Sequence, residues 1–222
     1  GGAEITVIEK NERPARKLMI TGKGRCNVCN NCDIDTLIAN VPENGRFLYS
    51  AFSGFAPQDT MTFFESLGVS LKTERGNRVF PVSDKASDIV DALVKAAKRG
   101  GAEIIQGTAK KILTENGAVS GVLLENGEAL PADSVILATG GMSYPLTGST
   151  GDGYKIARAL GHTVTEIKPS LVALNAHEGF CERLAGLSLK NVALSVFEEG
   201  RKKPVFSELG EILFTHFGIS GP

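Results

Sequence analysis

Glu9 is the first residue of this sequence whose type and position suggest chemistry. It ends a short β-branched run, Ile5-Thr6-Val7-Ile8. In a dinucleotide-binding fold, an acid at the end of the second strand accepts hydrogen bonds from a ribose, about 20 residues after a glycine-rich turn. That turn would have to precede Gly1, so only half of the fingerprint stands in the sequence. The alternative is a solvated acid at a strand end.

Two glycine-rich segments follow later in the chain. Thr139-Gly140-Gly141 comes directly after an apolar run at 134–138, where glycine would let the backbone approach a ligand at the carboxyl edge of a sheet. The segment 148–153, Gly-Ser-Thr-Gly-Asp-Gly, precedes a predicted helix and could direct free N–H groups toward a pyrophosphate or a flavin edge. It is not a Walker A loop, because Tyr154 stands where that loop requires lysine. Ordinary turns and a plain helix cap are the alternatives.

A third segment, 21–27, combines flexible backbone with two cations and an amide in the sequence Thr-Gly-Lys-Gly-Arg-Cys-Asn. Such a loop suits an anionic cofactor, with Lys23 and Arg25 as possible phosphate partners. A solvated basic loop is the alternative.

The cysteines and histidines offer weaker signals. Cys26, Cys29 and Cys32 are spaced like the opening of an iron–sulfur ligand run, but the only possible fourth cysteine, Cys181, lies in another predicted module. Cys29 and Cys32 are otherwise neutral substitutions or a redox-sensitive pair. His216 stands between aromatic residues and is the histidine to test as an acid, with a packed histidine as the alternative. We predict no metal site.

Composition narrows the classes of protein. The formal net charge is -1, so the electrostatic case for DNA or other nucleic-acid binding is absent. No apolar run approaches the roughly 18 to 20 residues that would span a bilayer, and we expect a soluble, cytoplasmic protein. The sequence begins without methionine close to an apolar strand and stops on a turn signal. We therefore expect a fragment that lacks its first strand, its phosphate-binding loop and its C-terminal part.

The pattern of elements indicates an α/β fold with a mostly β second module. Helices are predicted from Pro57 to Leu67, from Ser83 or Asp84 to Gly100, and from Thr150 to Gly161. Strands are predicted at 4–9, 69–73, 78–82, 103–105, 109–115, 119–125, 134–138, 171–175, 192–197 and 204–206. The pattern changes near Pro169, where we place a domain boundary.

Taken in order, these segments resemble the BaiN/RdsA-like family of NAD(P)/FAD-dependent oxidoreductases, also called YhiN-like flavoproteins. The matching pieces are residues 7–11, 16–17, 21–27, 79–83, 138–145, 148–153, 169–171 and 214–222. The resemblance implies a two-dinucleotide-binding-domain flavoprotein fold, with a Rossmann-like FAD domain and an inserted, mostly β domain. Residues 1–168 would form part of the FAD domain, and residues 169–222 the start of a substrate domain.

The motifs and the resemblance together predict a set of site residues. Glu9 would bind the adenosine ribose, and the strand that begins near Ala109 would lie beside the adenine. The predicted cofactor-binding residues are Glu9, Lys10, Lys17, Gly22, Gly24, Arg25, Cys26, Asn27, Ala109, Thr139, Gly140, Gly141, Gly151, Asp152 and Gly153. The predicted catalytic residues are His216 and Cys26.

The resemblance also implies a reaction. FAD would take hydride from NADH or NADPH and reduce a carbon–carbon double bond conjugated to a carbonyl. The substrate would be a steroid-like or bile-acid-like ketone, or a uridine in ribosomal RNA. Two alternatives of other classes are a non-catalytic, flavin-binding redox sensor and a metal or cluster protein built on the cysteines.

Overall fold

The computed structural model describes residues 2–169 and 171–221, and the chain divides into two compact units, Gly1–Val164 and Thr165–Pro222. Strands of the first unit are β1 (Thr6–Glu9), β2 (Cys29–Asn30), β3 (Leu71–Glu74), β4 (Arg78–Pro81), β5 (Glu103–Gln106), β6 (Ala109–Glu115), β7 (Ala118–Leu124) and β8 (Ala129–Pro131). Its helices are α1 (Arg16–Ile20), α2 (Ile34–Ala39), α3 (Tyr49–Gly54), α4 (Pro57–Ser66), α5 (Ala86–Arg99) and α6 (Asp152–Ala159). Single 3-10 turns span Thr21–Gly24, Gly45–Leu48, Arg75–Asn77 and Pro145–Thr147.

β1 and β5 form a two-stranded parallel sheet, in register from Thr6 opposite Glu103 to Glu9 opposite Gln106. Parallel strands require a long crossover connection, which the helices α1 to α5 supply. The pairing continues one residue further, because Gly107 N donates to Glu9 O at 2.9 Å. Residues 107–109 are therefore held beside the carboxyl end of β1.

Helix α5 immediately precedes β5 and forms as its apolar spacing predicts. Ala86, Ile89, Val90 and Ala92 are buried on one face. Gly101 follows the helix at φ +83°, a conformation that glycine adopts without strain. The predicted cap is wrong: the N-cap is Lys85, and it forms no side-chain cap hydrogen bond. Asp84 instead binds Lys72, since a lysine ammonium is a stronger partner for a carboxylate than a helix N–H.

The core of this unit lies between α4, α5 and the antiparallel sheet ordered β2-β4-β3. The predicted hairpin is confirmed, with Thr73 opposite Val79 around the turn at Arg75–Asn77. The buried cluster consists of Cys26, Phe64, Val69, Ala86, Ile89 and Ala92. The strands predicted at 109–115 and 119–125 are also confirmed as β6 and β7, and β8, which was not predicted, joins them in the sheet β6-β7-β8.

The predicted core strand at 134–138 is wrong. In the described part of the chain, this segment has no paired strand, and the side chain of Ile136 is 92% exposed. A strand exists only where a neighbour accepts and donates its backbone hydrogen bonds. The apolar sequence here is strand-like, but no neighbouring strand in the described residues pairs with it.

The second unit is a four-stranded antiparallel sheet with the order β10-β11-β12-β9. Its strands are β9 (Leu174–Asn175), β10 (Ser188–Val196), β11 (Phe206–Thr215) and β12 (Gly218–Ser220), and its short helix α7 is Phe180–Arg183. Short strands were predicted here, but the strand predicted at 204–206 begins at Phe206 and runs to Thr215. Phe180 of α7 packs edge-on against Phe214, with ring centroids 6.2 Å apart. No helix in residues 2–169 or 171–221 is both long enough and apolar enough to cross a membrane.

Candidate functional site

The residue after β1, Lys10, reaches the start of helix α6. Lys10 Nζ donates to Thr150 Oγ1 at 2.6 Å and to Asp152 Oδ2 at 2.8 Å, and Thr150 Oγ1 lies 2.7 Å from the same Asp152 oxygen. The hydrogen bonds from Lys10 and then Thr150, with a smaller one from Lys155, lower the pKa of Asp152 to about 2. Two predicted site residues, Lys10 and Asp152, are thus in contact, and their charged groups form an ion pair.

Asn11 holds the carboxylate of Glu9. The backbone N of Asn11 and its side-chain Nδ2 donate to the same oxygen, Glu9 Oε1, at 2.8 and 2.7 Å. Nδ2 also donates to Thr147 O at 3.2 Å. Glu9 Oε2 accepts no hydrogen bond from the residues that the structure describes. The half-buried acid predicted to bind a ribose is therefore fixed through one oxygen and open at the other.

Three glycines let the segment 139–153 pack closely. A Cβ on Gly148 would lie 2.7 Å from Asn11 Nδ2, and a Cβ on Gly151 would lie 2.9 Å from Met142 Cγ. A Cβ on Gly153 would overlap Thr139 Oγ1. Gly151 and Gly153, both predicted to approach a cofactor, are thus required by contacts within the protein. Thr139 belongs to the same packed group.

The backbone at the start of α6 leaves donors for a ligand. Gly151, at φ +78°, is the N-cap, and its N–H donates to Gly141 O at 3.1 Å. The N–H groups of Asp152 and Gly153 lie in the first helical turn, where no intrahelical acceptor exists. Gly140 adopts φ +74°, and a Cβ there would lie 3.3 Å from Ser149 Oγ. Gly140 and Gly141 therefore lie against the residues that lead into the helix.

Lys17 of α1 contacts the beginning of this segment. Its Nζ donates to Ser143 Oγ at 2.9 Å and to Ser143 O at 3.0 Å. The same nitrogen lies 4.5 Å from the centroid of the Tyr144 ring, a cation–π distance. Lys17, a predicted cofactor residue, thus ties α1 to residues 143–144.

Arg25 is engaged by carboxylates. Its Nη1 donates to both oxygens of Glu74 at 3.0 Å and to Asp84 Oδ1 at 3.4 Å. The guanidinium lies 3.9 Å above the centroid of the Phe80 ring. The hydrogen bond that Arg25 donates to the Glu74 carboxylate raises the pKa of Arg25 and lowers the pKa of Glu74. The charge expected to bind phosphate is therefore already balanced within the protein.

The rest of the loop Thr21–Gly24 and its continuation pack against the hairpin. Gly22 adopts φ +55°, and a Cβ there would lie 2.7 Å from Phe80 Cε1. Gly24 has φ +86° and more room. With its amide oriented to match its surroundings, Asn27 donates to Cys29 O at 3.0 Å and to Val79 O at 3.3 Å. The conformation of this loop is thus set by the hairpin β3–β4.

Cys26 lies in the core, with 2% of its surface exposed. Burial raises the pKa of its thiol, which disfavours the thiolate. Cys26 therefore fits a core residue better than the catalytic and cofactor-contacting roles predicted for it. Cys29 and Cys32 are free and half-buried. Among residues 2–169 and 171–221, no group of three or more His, Cys, Asp or Glu side chains is placed to hold a metal ion.

The two remaining predicted site residues, Ala109 and His216, lie in different units of the chain. Ala109 begins β6, two residues after the Gly107 that donates to Glu9 O. His216 lies in the second unit, in the turn between β11 and β12, and is exposed. Its ring meets Phe217 edge-on at 5.0 Å.

Sequence reasoning did not assign Asn11, Ser143 or Thr147 to the site. Asn11 stands beside Glu9 and Lys10 in the sequence, and that adjacency was the available signal. The partner of Asn11, Thr147 O, is a backbone atom 136 positions away, which no side-chain pattern reveals.

Comparison with known proteins gives three relatives that each align with the whole chain. A 3-dehydro-bile acid delta(4,6)-reductase of Clostridium scindens is 33% identical over 222 residues, which are 52% of its length. Ribosomal RNA dihydrouridine synthases of Escherichia coli and Haemophilus influenzae are 30% and 28% identical, and the chain covers 53% and 54% of their lengths. The chain thus spans about half the length of the curated relatives it matches.

The family comparison covers nearly the whole sequence. The family described as "HI0933-like protein Rossmann domain" matches residues 1–220. The mixed strands and helices of the first unit, with a parallel pair that ends at Glu9, agree with a Rossmann-like domain. This chain belongs to the HI0933-like family of Rossmann-domain proteins.

Proposed function

We propose that this chain is part of an FAD-dependent oxidoreductase. The observation that carries the proposal is that Glu9, at the carboxyl end of a parallel strand, is joined through Asn11 and Lys10 to the glycine-rich segment 147–152. Ligands of open α/β sheets bind at such strand ends. The relatives, one bile-acid reductase and two ribosomal RNA dihydrouridine synthases, support the same class of reaction.

The residues present fit the adenosine part of FAD. Glu9 Oε2 is an open acceptor for ribose hydroxyls, and residues 107–109 lie beside the same strand end. The N–H groups of Asp152 and Gly153 are donors of the kind that bind anionic groups at helix starts. We propose that the cofactor site is built from these residues: Glu9, Lys10, Lys17, Gly22, Gly24, Asn27, Ala109, Thr139, Gly140, Gly141, Gly151, Asp152 and Gly153.

Two groups among these residues would have different roles. Glu9, Ala109 and the first-turn N–H groups would touch the cofactor. Lys10 and Lys17 would hold the segment that surrounds it, because their ammonium groups already donate to residues of this segment. Thr139 would pack against Gly153 within the same segment. Arg25 would not bind a phosphate, because its guanidinium forms ion pairs with Glu74 and Asp84.

Bound FAD would supply hydride transfer, with NADH or NADPH as the reductant. We propose that the acceptor is a carbon–carbon double bond conjugated to a carbonyl, in a bile-acid-like ketone or in a uridine of ribosomal RNA. Reduction adds a hydride to one carbon and a proton to the other, so a proton donor is needed. His216 is the residue we propose for that role, because it is exposed and carries an imidazole, a side chain that often serves as a general acid.

We also propose the larger architecture. Residues 1–168 would belong to the FAD-binding domain of a two-dinucleotide-binding-domain flavoprotein, and residues 169–222 to an inserted, β-rich substrate domain. The antiparallel sheet of the second unit supports the latter assignment. The protein would act in the cytoplasm.

The experiment is a reductase assay on the whole gene product. The protein is loaded with FAD and given NADH or NADPH together with an unsaturated bile-acid ketone or with unmodified ribosomal RNA. We expect consumption of nicotinamide that depends on one of the two substrates. A protein that binds FAD but reduces neither substrate would contradict the proposed reaction.

A further inference from the structure

We infer that Asn11 is a positioning residue for the cofactor's ribose: it aims the Glu9 carboxylate and locks it to the turn that ends at Gly148. This inference rests on the proposed binding of FAD. It adds Asn11 to the proposed site and says how this residue would act on Glu9.

The side chain of Asn11 uses both of its N–H donors and its oxygen. Nδ2 donates to Glu9 Oε1 at 2.7 Å and to Thr147 O at 3.2 Å, and Arg16 Nη1 donates to Oδ1 at 3.3 Å. An asparagine side chain carries two such donors and one such oxygen. The orientation of the amide is therefore determined, since exchanging its N and O would place donors against donors and acceptors against acceptors.

These contacts leave one oxygen of Glu9 for a ligand. The backbone N and Nδ2 of Asn11 both donate to Oε1. An ionised carboxylate has about two acceptor sites on each oxygen, so Oε1 is filled and Oε2 is presented. An acceptor held in one orientation suits the adjacent hydroxyls of a ribose, because the ligand does not have to order the side chain on binding.

The turn beyond Thr147 is packed against the same asparagine. A Cβ on Gly148 would lie 2.7 Å from Asn11 Nδ2 and 3.2 Å from Lys10 Cε, and Gly148 adopts φ +98°. Asn11 therefore fixes the distance between β1 and the segment that continues to Asp152. Asn11 would thus position the Glu9 carboxylate and the N–H donors at the start of α6 relative to each other.

The test compares affinities for two halves of FAD in the whole gene product. Asn11→Asp keeps the shape but removes both donors and adds a charge against Glu9. We expect affinity for ADP and FAD to fall about tenfold or more, while affinity for FMN stays within about twofold. Asn40→Asp is the matched control, because the Asn40 amide donates to Thr36 O on α2, and its affinities should equal those of the parent.

A double-mutant cycle shows whether Asn11 acts through Glu9. In a Glu9→Gln background, Asn11→Asp should cause little further loss of ADP affinity, since the carboxylate that it positions is gone. An equal loss in both backgrounds, or an equal loss for ADP and FMN, would overturn the inference. If Asn11→Asp does not fold, Asn11→Ala replaces it, with a smaller loss expected because alanine removes the side-chain donors without adding a charge against Glu9.

The outcomes also separate this inference from the proposed function. A parent protein that binds neither FAD nor ADP overturns both. A parent that binds both ligands, with an Asn11→Asp variant of unchanged affinity, overturns only the role of Asn11.

Discussion

Lys10 and Asp152 are 142 positions apart in the sequence, and their side chains form an ion pair at 2.8 Å. Each side chain is a little over one-quarter exposed, so the pair is screened less than a surface pair. It joins the end of β1 to the start of α6. The glycine-rich segment owes its position to this contact as well as to Asn11.

Removing the ammonium of Lys10 should loosen this junction. We expect Lys10→Met to lower the free energy of unfolding by about 1 kcal/mol, because it leaves the Asp152 carboxylate without its main partner. Urea denaturation gives the value. Lys155→Met is the control, since Lys155 also contacts Asp152 but is 72% exposed and should matter much less. An equal loss of unfolding free energy in the two variants would contradict the assignment of Lys10 as the main partner of Asp152.

The stability contributed by Asp152 should depend on pH. Its pKa is about 2 in the folded protein against an ordinary 3.8, so the stabilisation is fully present above 3.8 and is lost as the pH falls toward 2. The unfolding free energies of the parent and of Asp152→Asn should differ by about 1 kcal/mol at pH 5, after allowance for solvent exposure. Near pH 2 the difference should be much smaller. Urea titrations across this range measure the difference. A gap that stays constant with pH would rule out the ion pair as its source.

Gly153→Ala tests the packing of the glycine segment. The added methyl group would overlap Thr139 Oγ1, and we expect a loss of about 1–3 kcal/mol of stability together with weaker FAD binding. Gly54→Ala is the matched control, because no atom lies within 4 Å of a Cβ built there and the residue is helical. Thermal unfolding of both variants checks this. A Gly153→Ala protein as stable as the control would show that the contact relaxes freely.

The cysteines should differ in reactivity. Cys26 and Cys181 are 2% and 3% exposed, whereas Cys29 and Cys32 are half-buried. We expect iodoacetamide to label Cys29 and Cys32 in the native protein and to label the other two only after unfolding. Mass spectrometry of digested protein identifies the sites. Rapid native labelling of Cys26 would revive the catalytic role that its burial argues against.

Local patterns in the sequence predicted much of the fold. Helix α5 and the strands β6 and β7 follow from apolar spacing and from Asn-Gly turns, which act over a few residues. The strand at 134–138 was predicted wrongly, because pairing depends on a neighbour that a local pattern does not specify.

The site was harder to predict than the fold. The sequence singled out Glu9, Lys10 and Asp152 as candidate site residues, since an acid at a strand end and a glycine-rich helix start have recognisable positions, and the structure places Lys10 and Asp152 in contact. It gave no indication that Arg25 would be taken up by Glu74, or that Cys26 would be buried. Both outcomes depend on long-range contacts. Glu74 of β3 lies 49 positions from Arg25, and the buried cluster that contains Cys26 includes residues of α4 and α5.

The central claim is that Glu9 and the segment joined to it bind FAD for a reductase reaction. The most direct measurement is the visible absorption spectrum of the whole gene product, after incubation with FAD and removal of excess, before and after anaerobic addition of NADH or NADPH. We predict one bound flavin per chain, bleached by one of the two nicotinamides, with much less flavin retained by Glu9→Gln. A folded protein that retains no flavin, or a Glu9→Gln variant that retains as much as the parent, would contradict the account.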